Sequence, residues 1–256
     1  MIISNSKRNI EMRKGDKDMQ ITLHQGIEPF TIAYQPIIDL RRNIIYGHEA
    51  LIRPKTCKPE DLINKVTKQG RLLELELSIC SIVAKQFSRK NDGSVAFINL
   101  TPYSFTYNDG EEIMKALSPF DPASIVIEVT EAIKLSKDIS GVAKVWHDKG
   151  YRLAVDDISQ GYSRLSAVAE LMPDFIKIDR PCITGAVKSK SWRKVLESII
   201  NMARNIGAKT IGEGIETEKE KELVTEYGVD FAQGYYFGIP SLRLLSRQEL
   251  NSRNVL

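Results

Sequence analysis

At 256 residues, the chain is long enough to bury one sizeable core, in one barrel-sized domain or two small ones. The 36 basic and 33 acidic side chains leave a net charge of +3, which implies neither a nucleic-acid polymer as partner nor a polyacidic surface; no basic stripe with interleaved aromatics stands out. No apolar run approaches the ~18 residues of a membrane span, and three widely spaced cysteines without a Cys-x-x-Cys (Cys57, Cys80, Cys182) indicate neither a disulfide framework nor a zinc site, which points to a reduced cytoplasmic setting.

Residues 1–19 are polar and mixed in charge, read as a flexible N-terminal extension, with 20–256 as a single domain. Phe30–Ile38 and Ile44–Ile52 are rich in strand formers, and the polar Asp39–Asn43 between them predicts an antiparallel hairpin. Pro59 opens a helical stretch, and the dense apolar pattern of Leu72–Phe87 predicts a buried amphipathic helix. Strands follow at Val95–Leu100, Ile125–Ile127, Leu153–Val155, Phe175–Ile178, Lys209–Ile211 and Val229–Ala232. Helices alternate with them at Ile113–Leu117, Val142–His147, Leu165–Leu171, Trp192–Ile206 and Thr217–Tyr227, three of these closed by Gly150, Gly207 and Gly228. Eight strands with intervening helices give an α/β chain, a (β/α)8 TIM-like barrel with the first strand antiparallel to the rest; a doubly wound open sheet is the alternative, weakened by the lack of a Gly-x-Gly-x-x-Gly or Walker loop.

Polar residues end these strands. Glu49, Asn99, Glu128, the adjacent Asp156 and Asp157, Lys177, Glu213 and Gln233 each stand at or near a carboxyl end, and in a barrel such positions converge on one mouth. Taken singly, each acid reads equally well as a helix cap or a rim ion pair. Together they form an oxygen-rich set with few histidines nearby, which favours Mg²⁺ or Mn²⁺ over zinc or copper. Asp156 and Asp157 could bridge two ions, with Lys177 stabilising charge on a phosphate oxygen or merely neutralising the two acids. The chemistry expected is metal-assisted hydrolysis of a phosphate ester, with an enolase-like proton abstraction as competitor.

From Gln20 to Pro240 the chain resembles the bacterial EAL-domain cyclic di-GMP phosphodiesterases. The resemblance rests on Tyr34-Gln-Pro-Ile37, Glu49-Ala-Leu51 with Ile52 and Arg53, Ile98-Asn99 and Glu128-Val-Thr-Glu131. It continues through Asp156-Asp157, Gly161-Tyr-Ser163, Lys177-Ile-Asp179, Glu213-Gly-Ile-Glu216 and Gln233-Gly-Tyr-Tyr-Phe-Gly238 with Pro240. It implies hydrolysis of cyclic di-GMP to linear pGpG with two Mg²⁺ or Mn²⁺ ions. Glu49, Asn99, Glu128 and Asp156 would hold one metal; Asp156 and Asp157 would serve the second. Lys177 and Glu213 would position and deprotonate the attacking water, with Glu216 and Gln233 tuning it and Asp179 supporting the site. Gln35, Leu51, Arg53 and Pro240 would meet the substrate. Glu131 and Ser163 would anchor the loop after Asp157, through which, with the following helix, the resemblance implies a homodimer.

That loop departs from the family pattern Asp-Asp-Phe-Gly-Thr/Ala-Gly-Tyr-Ser-Ser: Ile158, Ser159, Gln160 and Arg164 stand where Phe, Gly, Thr or Ala, and the second Ser are usual, and Gly212 replaces an Ala. If the family glycine has positive φ, Ser159 costs ~1–3 kcal/mol or the loop takes another path. A catalytically weak EAL domain acting as a cyclic di-GMP receptor or protein-interaction module is therefore the alternative function.

Overall fold

A computed structural model describes residues 27–89, 92–129, 139–159, 162–247 and 249. β1 (Phe30–Asp39) and β2 (Ile44–Pro54) form the expected antiparallel hairpin. Its turn is closed by the Asp39 carboxylate, which accepts the Arg41 and Arg42 amides at 3.0 and 2.9 Å, while Asn43 takes φ 51°. β3 (Val95–Leu100), β4 (Ile125–Val129), β5 (Arg152–Val155), β6 (Phe175–Ile178), β7 (Lys209–Gly212) and β8 (Phe231–Gln233) follow parallel to β2, and β8 closes on β1. β1 is antiparallel to both neighbours, so this is the eight-stranded barrel the alternation predicts rather than an open sheet.

The last strand begins two residues later than its apolar run suggests. The Val229 amide is taken by the Val224 carbonyl at 3.0 Å, closing α9 (Glu218–Glu226), so it cannot join the ladder. Thr217 is the cap of α9 rather than its first residue, in a capping box with Glu220. The outer helices are otherwise α1 (Pro59–Lys68), α2 (Leu72–Ser88), α3 (Pro102–Thr106), α4 (Glu111–Leu117), α5 (Ile139–Asp148), α6 (Tyr162–Leu171), α7 (Arg180–Lys188) and α8 (Lys190–Ile206). Hydrophobic patterning passed over α3 and α7, although each carries a proline in its first turn.

Strand period explains where the site lies. The barrel interior is filled by Ile37, Val95, Phe97, Val126, Ala154, Phe175, Ile211 and Phe231. Two residues further along each parallel strand, on the same face, come Asn99, Glu128, Asp156, Lys177, Glu213 and Gln233. β1 runs the other way, so Gln35 rather than a residue after Ile37 reaches the same level, opposite Glu49 of β2. The apolar layer is thus the floor and the polar ring the mouth. Intervening residues such as Ile98, Ile127, Val155, Ile176 and Ile178 point outward and pack with Trp146, Ile183, Leu196 and Val224 of the helices.

Glu76 is the exception within α2, a carboxylate only 5% exposed in an apolar helix. It accepts the Thr101 amide at 2.8 Å and the Thr101 hydroxyl at 3.1 Å, fixing the chain just past Asn99. Burial pushes its pKa up to about 7, only partly opposed by those bonds. Because the folded value lies above the unfolded one, Glu76 contributes stability that is complete at acid pH and lost as pH rises toward 7. Glu76→Gln keeps the shape and the Thr101 contacts, so relative to wild type it should melt higher above that pH, by the equivalent of ~3 kcal/mol, and show no advantage in acid. Parallel melting curves across the range would refute this.

Candidate active site

Lys177 is the hub of the mouth. It is 1% exposed, and its Nζ lies 2.8 Å from Glu213, 3.0 Å from Glu128, 3.5 Å from Asp156 and 3.7 Å from Glu49. Burial works against its charge, but the four carboxylates outweigh that and hold the ammonium well above the ordinary lysine value. Glu49 in turn accepts the Asn99 carboxamide at 2.9 Å and that of Gln233 at 2.6 Å. Gln233 also donates to Gln35 at 3.0 Å, and Gln35 donates to the Gly238 carbonyl at 3.1 Å, so four strands are tied by side chains alone.

One lysine does not neutralise this ring. Burial drives the Glu128 carboxyl well above the usual range despite Lys177, and its Oε1 is buried with no hydrogen-bond partner among the described residues. Burial and the charge of Asp156 likewise raise Glu213. For Asp156, burial is overcome by Lys177, a bond with Glu213, the Asp157 amide at 2.8 Å and Arg164, and its pKa falls. Asp157 is pushed up to about 6 by burial and by the charges of Asp156 and Asp179. Oxygens of Asp156, Asp157 and Glu213 all lie within 4.8 Å of one another. A surplus of buried carboxylate, an orphaned oxygen and an all-oxygen donor set fit hard divalent cations.

The altered loop takes an unexpected form. Positive φ falls on Asp157, at 53°, and not on Ser159. Ser159 instead donates its hydroxyl and amide to Asp179 at 2.7 and 3.1 Å, while the buried Ile158 donates its amide to the Lys177 carbonyl at 3.2 Å. The serine is therefore accommodated without backbone strain, because its hydroxyl gains a buried carboxylate partner. Arg164, 7% exposed at the start of α6, adds a cation whose field lowers both Asp156 and Asp157.

Other expected residues sit apart from the acids. Glu216 is exposed and pairs with Arg180 at 2.8 Å, and Arg180 also bonds the Gly214 carbonyl next to Glu213. Arg53 is half-buried at the end of β2, donating to the Ile52 carbonyl at 3.0 Å, where burial lowers its pKa and the Glu49 charge opposes this. Leu51 and Pro240 are half-buried on the rim. Glu131, Gln160 and Gly161 lie outside the described residues, and for Ser163 the description covers the backbone alone. Sequence reading passed over Glu76 and Arg180, and gave Gly234 no role beyond its place in the Gln233–Gly238 motif. The signal for the first was available, as an acid between Leu75 and Leu77 of an apolar helix; Arg180 works through Glu216 and the Gly214 carbonyl, and Gly234 through the close approach of the Ile215 backbone, partners that no local pattern announces.

A model of the EAL domain matches residues 17–240. The chain belongs to the EAL domain family. This EAL domain is 27% identical over 91% of its length to the probable cyclic di-GMP phosphodiesterase PdeN of Escherichia coli K12, and 30% identical over 84% to PdeG of the same organism, described in the same words. It spans 47% and 44% of those relatives, about half their length. Among solved structures, a calcium and cyclic di-GMP complex of Klebsiella pneumoniae BlrP1 is similar at TM-score 0.76 and 25% identity, over 90% of this chain and 60% of that one. Among the described residues of the EAL domain, no helix is long and apolar enough to cross a membrane.

Proposed function

We propose that this chain hydrolyses one phosphodiester bond of cyclic di-GMP to linear pGpG, lowering cyclic di-GMP signalling, with two Mg²⁺ or Mn²⁺ ions in the barrel mouth. The observation that carries the reading is the ring of Glu49, Asn99, Glu128, Asp156 and Glu213 around Lys177, with Asp157 beside it. The names of PdeN and PdeG and the calcium and manganese complexes of BlrP1 with cyclic di-GMP support it.

Glu49, Asn99, Glu128 and Asp156 would hold one ion, and Asp156 and Asp157 the second. When bound, such ions polarise the phosphoryl group and lower the pKa of water toward neutrality. Glu213, whose proton affinity is raised, takes the proton of the attacking water, and Lys177 holds that carboxylate in place at 2.8 Å. Gln233 fixes Glu49 and is itself held by Gln35; Glu216 acts through Arg180 on Gly214, steadying the turn that carries Glu213. Asp179 secures the Ser159 loop, the Arg53 guanidinium forks a substrate phosphate, and Leu51 and Pro240 face the bases across the rim.

Incubation with cyclic di-GMP and Mn²⁺ should yield pGpG, and Glu49→Ala should lower the rate by at least ~10³. Absence of pGpG from wild type would overturn the reading. The same preparation, sized by light scattering, should be a dimer, for which the exposed Leu165 and Met172, on and just after α6, offer apolar surface. Binding of cyclic di-GMP without turnover is the second reading. The buried Arg164 charge beside Asp156 and Asp157 favours it, because a built-in cation there competes with a metal.

A further inference from the structure

The start of α8 carries a charge concentration that whole-chain composition hides. Between Arg180 and Leu196 stand Arg180, Lys188, Lys190, Arg193 and Lys194 without a single acid, a local excess larger than the +3 of the entire chain. Arg180 is committed to Glu216, and Arg193 donates to the Ala186 carbonyl at 2.9 Å, capping α7. Lys188, Lys190 and Lys194 are exposed and have no ion pair among the described residues.

Apolar surface lies beside them. Trp192 is 40% exposed and Val195 is also exposed, although Leu196, Ile200 and Ala203 of the same helix are buried. At 3.6 residues per turn, the outward arc reads Glu197, Lys190, Lys194, Ser191, Val195, Trp192, so Ser191 separates the lysines from the two apolar side chains and Glu197 stands on their far side. The indole is also held in place: a Cβ added to Gly185 of α7 would lie 2.7 Å from its Cγ, so α7 covers the ring at that point.

A fixed, half-exposed tryptophan beside a small aliphatic group, with unpaired lysines across a serine, matches the chemistry of an anionic lipid headgroup layer. There the indole sits at the interface, and the lysine stems lie along apolar surface with their charges on phosphates. A second copy of this chain on the same face would set unpaired lysines against lysines. A nucleic acid would use the lysines but gain nothing from Val195. We propose that the first turns of α8 dock on an anionic lipid surface, Trp192 and Val195 entering the headgroup region and Lys188, Lys190 and Lys194 contacting lipid phosphates.

The chain has two tryptophans, and Trp146 is fully buried, so quenching by a lipid-borne group reports on Trp192. The full chain should bind vesicles of phosphatidylcholine with phosphatidylglycerol and not phosphatidylcholine alone, and lipids brominated in the acyl chain should quench part of its emission. High salt should release it. Removing each lysine charge should weaken binding on the order of fivefold, and the double variant Lys190→Glu with Lys194→Glu more steeply. Circular dichroism would verify that these surface variants fold. Equal binding to both vesicles, absence of quenching in wild type, or equally tight lysine-dependent binding to an oligonucleotide would each overturn the proposal.

Discussion

Lys177→Met should lower turnover of cyclic di-GMP on the order of 10³-fold while leaving a protein that folds when divalent ions are present. Lys177 is the one ammonium within 4 Å of Glu49, Glu128, Asp156 and Glu213 among the described residues, and methionine fills its space without its charge. Removing one member of a buried ion cluster costs ~3–5 kcal/mol, because the remaining carboxylates are left uncompensated. The metal-free variant should therefore melt well below wild type, and Mn²⁺ should raise its melting temperature by more than it raises that of wild type. Turnover near the wild-type rate would show that Lys177 neutralises the acids and does nothing further. An unchanged metal-free melting temperature would show that the four acids are already protonated in the fold.

Gly234→Ala should be among the most damaging single-methyl additions in the chain. An added Cβ would lie 2.1 Å from the Ile215 carbonyl oxygen and 2.2 Å from its nitrogen. Both are backbone atoms engaged in hydrogen bonds just past β7 and β8: the Ile215 amide donates to the Gln233 carbonyl at 3.0 Å, and its own carbonyl accepts from the Tyr236 amide at 2.9 Å. Neither can move without displacing Gln233, which orients Glu49. We expect a loss of at least ~3 kcal/mol together with loss of turnover, read by chemical denaturation and by pGpG release. Gly207→Ala is the control: it has φ 81° but nothing within 4 Å of the added carbon, and should cost only ~1 kcal/mol. Equal losses in the two variants would show that backbone conformation, and not the close approach of two chain segments, sets the requirement.

These two expectations divide along the line between local and tertiary information. The alternation of strands and helices, the antiparallel opening hairpin and the acids at strand ends are local features, set by side-chain period and turn chemistry, and the sequence determined them. So too the candidate ligands, because a barrel forces strand ends together whatever the loops do. Boundaries were less legible where a hydrogen bond decided them, as at Val229, whose amide serves α9 and not β8.

The doubt about the loop after Asp157 was a local inference, and the fold answered it differently. Ser159 keeps ordinary backbone angles because Asp179, twenty positions away in the chain, offers its carboxylate. The same holds for Glu76, Gln35 and Arg180, whose partners are distant in sequence and adjacent only once the barrel has closed. The order of strands, helices and strand-end acids by itself pointed to an α/β barrel with an oxygen-rich mouth. Only tertiary structure decided that the acids outnumber the single buried lysine facing them, since burial and charge balance are properties of neighbours in space.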